Sequence, residues 1–168
     1  MFGPPSDEFC REWLVRRRGP HRHGWNSWQG YLTAHERGIG NYLDHFIATD
    51  ELPYQSTGRA VVWSGLIRCA GGLEIAVDKD QEIEDLNGNV SVRTVKYRYH
   101  VLHRSDDGAV TNLWRYDNSH VAPGHPDAHH FHCYRADGSD VVMHIGEDGW
   151  PTLGDVIDDL HRWWMARS

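Results

Sequence analysis

The sequence predicts an α+β fold, with an antiparallel meander of about four to six strands, short N-terminal helices and a C-terminal helix packed on the sheet. Three observations predict it. The turn signals Asn87-Gly88, Asp107-Gly108 and Asp137-Gly138 punctuate segments rich in β-branched and aromatic residues. Apolar and polar residues alternate within several of those segments, whereas the helical period appears only near the two ends of the chain. The 168 residues, 39% of them hydrophobic, suffice for one compact unit, divided into an N-terminal helical extension over 1–58 and a sheet core with its helix over 59–168.

Behind Pro4-Pro5, Ser6 is placed to cap a helix: Asp7 and Glu8 suit its first turn, and Phe9, Cys10, Trp13 and Leu14 share a face. Arg16, Arg17 and Arg18 lie at its basic end, before Gly19-Pro20. Residues 19–30 show no clear period. A second short helix is expected from Asn41, where Tyr42, Leu43, Phe46 and Ile47 repeat the helical spacing, while Gly38 and Gly40 argue against a longer one. From Arg59 the pattern turns to strands over 60–69, 73–77, 90–102, 110–116, 131–135 and 141–145. The acidic run from Glu74 through Asp78, Asp80, Glu82, Glu84 and Asp85 reads as a solvated hairpin. Thr152 caps the last helix with Asp155 three residues on, and Leu153, Val156, Ile157, Leu160, Trp163 and Trp164 form its packing face.

Charge and cysteines narrow the functional classes. The net charge of −7 argues against strong nonspecific duplex binding, which relies on many phosphate contacts. Only residues 91–135 are net basic, at +2, and they hold seven of the thirteen histidines, so a local polyanion site belongs there. Cys10, Cys69 and Cys133 are odd in number and form no C-x-x-C pair, which suits unpaired thiols in a reducing cytoplasm. No signal peptide and no membrane span are expected, since no apolar run exceeds the four residues from Ala60 to Trp63.

Period-two alternation places Lys96, Arg98 and His100 on one side of their strand and Tyr97, Tyr99 and Val101 on the other. In the next strand Leu113, Arg115 and Asp117 lie opposite Trp114 and Tyr116. Pairing through Asp107-Gly108 with matched burial brings Arg98, His100, Arg115 and Asp117 together. The same four residues also suit a solvated face tied by cross-strand ion pairs. The strand end runs on through Asn118, Ser119 and His120 to a loop and then His129-His130-Phe131-His132. Two histidines and an arginine suffice for RNA cleavage without metal or cofactor: a base activates the 2′-hydroxyl, an acid protonates the leaving oxygen, and arginine braces the phosphate. The candidates are His100 or His120 for one role and His130 or His132 for the other, with Arg98 and Arg115 on the phosphate and Tyr116, Asp117 and Asn118 as substrate contacts. A metal-dependent hydrolase built on His125, His129, His130 and His132 is an alternative, and so is a noncatalytic RNA- or protein-binding module.

The order of these motifs carries a resemblance: Tyr97-Arg98-Tyr99-His100, then Leu113-Trp114-Arg115-Tyr116-Asp117-Asn118, a loop with His120, His125 and Pro126, His130-Phe131-His132, and a closing helix after Pro151. Over about residues 72–164 this resembles the TumE-type toxins of prokaryotic toxin–antitoxin systems. The resemblance implies a small cytoplasmic growth inhibitor with a cognate helix-turn-helix antitoxin as partner. The first 55 or so residues extend beyond the family's short core.

Overall fold

The computed structural model describes residues 3–19, 23–119 and 128–168. Ser6 opens the first helix as expected, its hydroxyl accepting from the Phe9 amide at 3.2 Å, and α1 (Asp7–Phe9) runs into a π-helical turn over Cys10–Leu14. The next helix departs from expectation. It occupies Trp28–Gly40 (α2), with Ser27 capping the Gly30 amide, and the chain beyond Asn41 turns instead of coiling. Asp44 takes φ 74°, outside any right-handed helix. Gly30, Gly38 and Gly40 count against α2 by propensity, but Tyr31 and Ile39 are buried in the main core, and that packing prevails.

The strands are β1 (Gly24–Trp25), β2 (Ile47–Glu51), β3 (Tyr54–Ser56), β4 (Ala60–Cys69), β5 (Leu73–Leu86), β6 (Asn89–Arg104), β7 (Val110–Asp117), β8 (His130–Tyr134) and β9 (Asp140–His144). Among the described residues they form one open, nine-stranded sheet in the order β2-β4-β5-β6-β7-β8-β9, with β3 also on β4 and β1 also on β6. Every pairing is antiparallel. The α+β class and the meander from β4 to β9 match the expectation; the strand number exceeds it. The additional strands β1–β3 arise within residues 1–58, the part expected to be helical. They are two to five residues long and exposed at nearly every position, so they leave no alternation in the sequence.

The three turn signals act as expected. Asn87 and Gly88 take φ 57° and 85° between β5 and β6, the conformation that right-twisted strands need in a two-residue turn. Ser105–Ala109 and Arg135–Ser139 share another design, in which Gly108 and Gly138 take φ 88° and 86° after a tight turn. Asp107 and Asp137 lock these loops by accepting from the Ala109 and Ser139 amides at 3.1 and 2.9 Å. The acidic run is the outer flank of a longer β5, whose Leu73, Ile75 and Val77 point inward. Glu74 is the buried exception, paired with Arg68 at 2.8 Å and Arg104 at 3.1 Å.

After the short α3 (Gly146–Gly149), Thr152 and Asp155 form the expected capping box of α4 (Leu153–Met165). Leu153, Val156, Ile157, Leu160 and Trp163 bury its apolar stripe, and Trp163 meets Trp114 of β7 edge-to-face at 5.7 Å. The buried Arg18 joins the N-terminal segment to this helix, donating to Asp159 at 2.7 Å and to the Leu14 carbonyl at 3.1 Å.

The expectation of three unpaired thiols is corrected. Cys10 and Cys133 form a disulfide across 123 residues of sequence, and only Cys69 is a free thiol. Spacing could not reveal the pair, because the Cα atoms approach to 6.4 Å only when β8 lies beneath the first helix. No helix of the described residues is long and apolar enough to cross a membrane.

Candidate functional site on the outer sheet face

The long hairpins align polar residues in two rows across the face turned away from the core. One row reads Asp78, Arg98, Asp117, His130 and His144 through successive partners on β5, β6, β7, β8 and β9. The adjacent row reads Ala76, His100, Arg115, His132 and Val142. Arg98, His100, Arg115, Asp117, His130 and His132 therefore share one face because each strand's other set of side chains, including Tyr99, Trp114, Tyr116 and Phe131, fills the core.

Asp117 is the hub of this cluster. Its carboxylate is buried and accepts from Arg115 Nε at 2.9 Å and from the Ser119 hydroxyl at 3.1 Å, with His132 Nε2 at 3.3 Å and His130 Nδ1 at 4.0 Å. Burial alone would raise its pKa, but the hydrogen bond from His132 and the charge of Arg115 prevail and hold it below the ordinary carboxylate value. His132 reaches a second acid, with Nδ1 2.7 Å from Asp140. Burial works against its cation, yet hydrogen bonds to Asp117 and Asp140 raise its pKa above the ordinary value of 6.5. His100 is driven the other way. Burial first, and then the charges of Arg115 and Arg98, depress it to about 4.

Arg115 stands between these two histidines, with its Nη2 3.1 Å from His132 Nε2. This contact gives the imidazole two satisfied states: protonated, Nε2 donates to Asp117; after losing that proton, it accepts from Arg115. Arg98 lies at the rim, more than half exposed, and donates from Nε to Asp78 at 3.1 Å. Tyr134 stacks on His100 with centroids 5.6 Å apart and lies 6.5 Å from the His132 ring.

Other expected site residues lie elsewhere. Tyr116 is fully buried, and its hydroxyl donates to the Leu14 carbonyl at 2.7 Å, so it faces the core rather than the outer face. Asn118 closes the end of the β6–β7 pair, accepting from the Tyr97 amide and donating to the Val95 carbonyl, each at 2.9 Å. His129 sits apart from His130 and His132, 3.0 Å from the Tyr97 hydroxyl and against the Trp150 ring. His120 and His125 lie outside the described residues. Among the described residues no three His, Cys, Asp or Glu side chains gather in a way that would hold a metal ion.

Sequence reasoning missed Asp140 and Tyr134. They are register partners across the β8–β9 turn, and extending the alternation of His130 and His132 by one step would have placed Tyr134 on the same face.

The opposed shifts of the two histidines give a direct check. At pH 5.5, ring 15N spectra are expected to show His132 protonated and His100 neutral, whereas an unperturbed histidine would be mostly protonated. A common titration of both near 6.5 would contradict the geometry. The stability consequences also have opposite signs. His132 contributes below its unfolded pKa of about 6.5, a contribution lost as pH rises through its higher folded value, while protonation of His100 costs stability as pH falls from about 6.5 through 4.

Comparison with family models, curated protein sequences and solved structures gives no match to this chain.

Proposed function

We propose that this chain is the toxin of a toxin–antitoxin pair and arrests growth by cleaving RNA without a metal, on the outer face that carries His100, Arg115 and His132. The single observation that carries this reading is the row itself: His100, Arg115 and His132 on three adjacent strands, with the pKa of His100 pushed down and that of His132 pushed up. With strands about 4.8 Å apart, the two histidines flank a span of about 10 Å with the Arg115 guanidinium between them.

His100 then serves as the base that takes the 2′-hydroxyl proton, and the 2′-oxygen attacks the adjacent phosphorus. Tyr134 covers the His100 ring, so substrate engagement displaces it. Arg115 braces the phosphate as negative charge builds on its oxygens. His132 protonates the departing 5′-oxygen from Nε2 and turns that nitrogen to accept from Arg115. Asp117 and Asp140 orient the ring and hold its proton until it is needed. The acidic limb of kcat/KM is expected near pH 4, where His100 gains a proton, and the alkaline limb above 6.5, where His132 loses its own.

The motif order from Tyr97 to the closing helix supports the toxin role, with a cognate antitoxin as partner. The test is growth after induction of wild-type, His100→Ala and Arg115→Ala chains at matched soluble levels, with total RNA followed with and without EDTA. Arrest with EDTA-resistant RNA cleavage, lost in both variants, is the expected result. Arrest without cleavage would instead favour a noncatalytic binding module, and loss of cleavage in EDTA would favour a metal-dependent hydrolase.

A further inference from the structure

The inward face of β5 carries a charged residue in an apolar series. Leu73, Ile75 and Val77 are buried there, and Lys79 continues the alternation at 3% exposure. It is one of only two lysines in the chain, and the other, Lys96, is exposed. A buried ammonium normally has an acidic partner. Among the described residues Lys79 forms no ion pair with any carboxylate; its Nζ instead contacts the Tyr31 hydroxyl and lies 4.9 and 5.1 Å from the Tyr31 and Trp63 ring centroids.

This amine borders a cavity of about 470 Å³ between α2, β1, β6 and the start of α4. Tyr31, Tyr99, Thr94 and His35 line it with Lys79, and Trp25, 38% exposed, stands at its rim. The size falls within the range of small-molecule sites, and the flat aromatic walls suit a planar ligand. The cavity lies on the opposite side of the sheet from the histidine rows, because Lys79 and Asp78 alternate along β5.

We propose that Lys79 is a nucleophile that forms an imine with a small planar carbonyl compound bound in this cavity. The uncharged Nζ adds to the carbonyl carbon. One of its protons moves to the former carbonyl oxygen to give a carbinolamine, and loss of that hydroxyl together with the second N–H proton, as water, leaves a C=N bond. Nothing is oxidised or reduced, and hydrolysis reverses the step. The Tyr31 hydroxyl, in contact with Nζ, relays protons to the departing oxygen. Burial depresses the Lys79 pKa to about 7, so a large share of the amine is uncharged near neutrality. His35 is held at about 4 by burial and by Lys79, and it therefore stays neutral beside the amine.

The test uses the intact chain with salicylaldehyde at pH 7.5, trapping any imine with borohydride and mapping adducts by peptide mass spectrometry. Lys79 is expected to be modified at least tenfold faster than Lys96. Lys96→Arg should retain the adduct, Lys79→Arg should lose it, and Tyr31→Phe should slow modification at Lys79 without slowing it at Lys96. The wild-type map alone decides the matter if Lys79→Arg fails to fold. Modification of Lys79 no faster than Lys96, or only after unfolding in urea, would overturn the proposal.

Discussion

Replacing Arg115 by alanine is expected to lower RNA cleavage by about 10²–10³-fold, the usual loss when a donor that stabilises transition-state charge is removed. In the proposed mechanism two functions disappear together: the guanidinium that braces the phosphate, and the donor, 3.1 Å from His132 Nε2, that receives this nitrogen after proton transfer. The fold should tolerate the change, because Asp117 keeps its contacts with Ser119 and His132 and Arg115 is about a quarter exposed. Arg115→Lys retains the charge without the planar fork and should fall between wild type and alanine. Single-turnover rates on one RNA, with melting curves beside them, check both statements. If Arg115→Ala cleaves at the wild-type rate, the arginine does not handle the phosphate.

Reduction of the Cys10–Cys133 disulfide is expected to cost about 5 kcal/mol, because the bond closes a loop of more than a hundred residues in the unfolded chain. That corresponds to a fall of about 10–20 °C in melting temperature for a domain of this size. The same bond ties the first helix to β8, whose flanking residues include His132 of the site. Cys10→Ser should reproduce the loss under oxidising conditions, and wild type with and without dithiothreitol should differ by as much. Superimposable melting curves would show that the two sulfurs are not bonded.

The parts of the molecule legible in the sequence are those fixed by local chemistry. The Thr152–Asp155 capping box, the three glycine turns and the period-two alternation are short-range signals, and together they bring Arg98, His100, Arg115 and Asp117 onto one face. What escaped depends on tertiary contacts. The glycines of α2 conceal a helix held by the burial of Tyr31 and Ile39, and the exposed β2 and β3 pair with β4 without any alternation of their own. The disulfide spans 123 residues, so spacing offered no clue to it. Tyr116 lies between two site residues in sequence, yet its side chain belongs to the core. Lys79 did leave a trace, as a charge in the inward phase of β5, but a lysine in an acidic run reads as solvated until the strand is seen to continue to Leu86.

The most direct test is the chemistry of the cut. Purified wild-type chain would be incubated in EDTA with a short single-stranded RNA and with the same sequence as DNA, and the product ends analysed by mass spectrometry. Attack by the 2′-oxygen under His100 and His132 should cleave only the RNA and leave a 2′,3′-cyclic phosphate facing a 5′-hydroxyl. Intact RNA, equal cleavage of the DNA, or ends bearing a 5′-phosphate would contradict the role assigned to the His100–Arg115–His132 row.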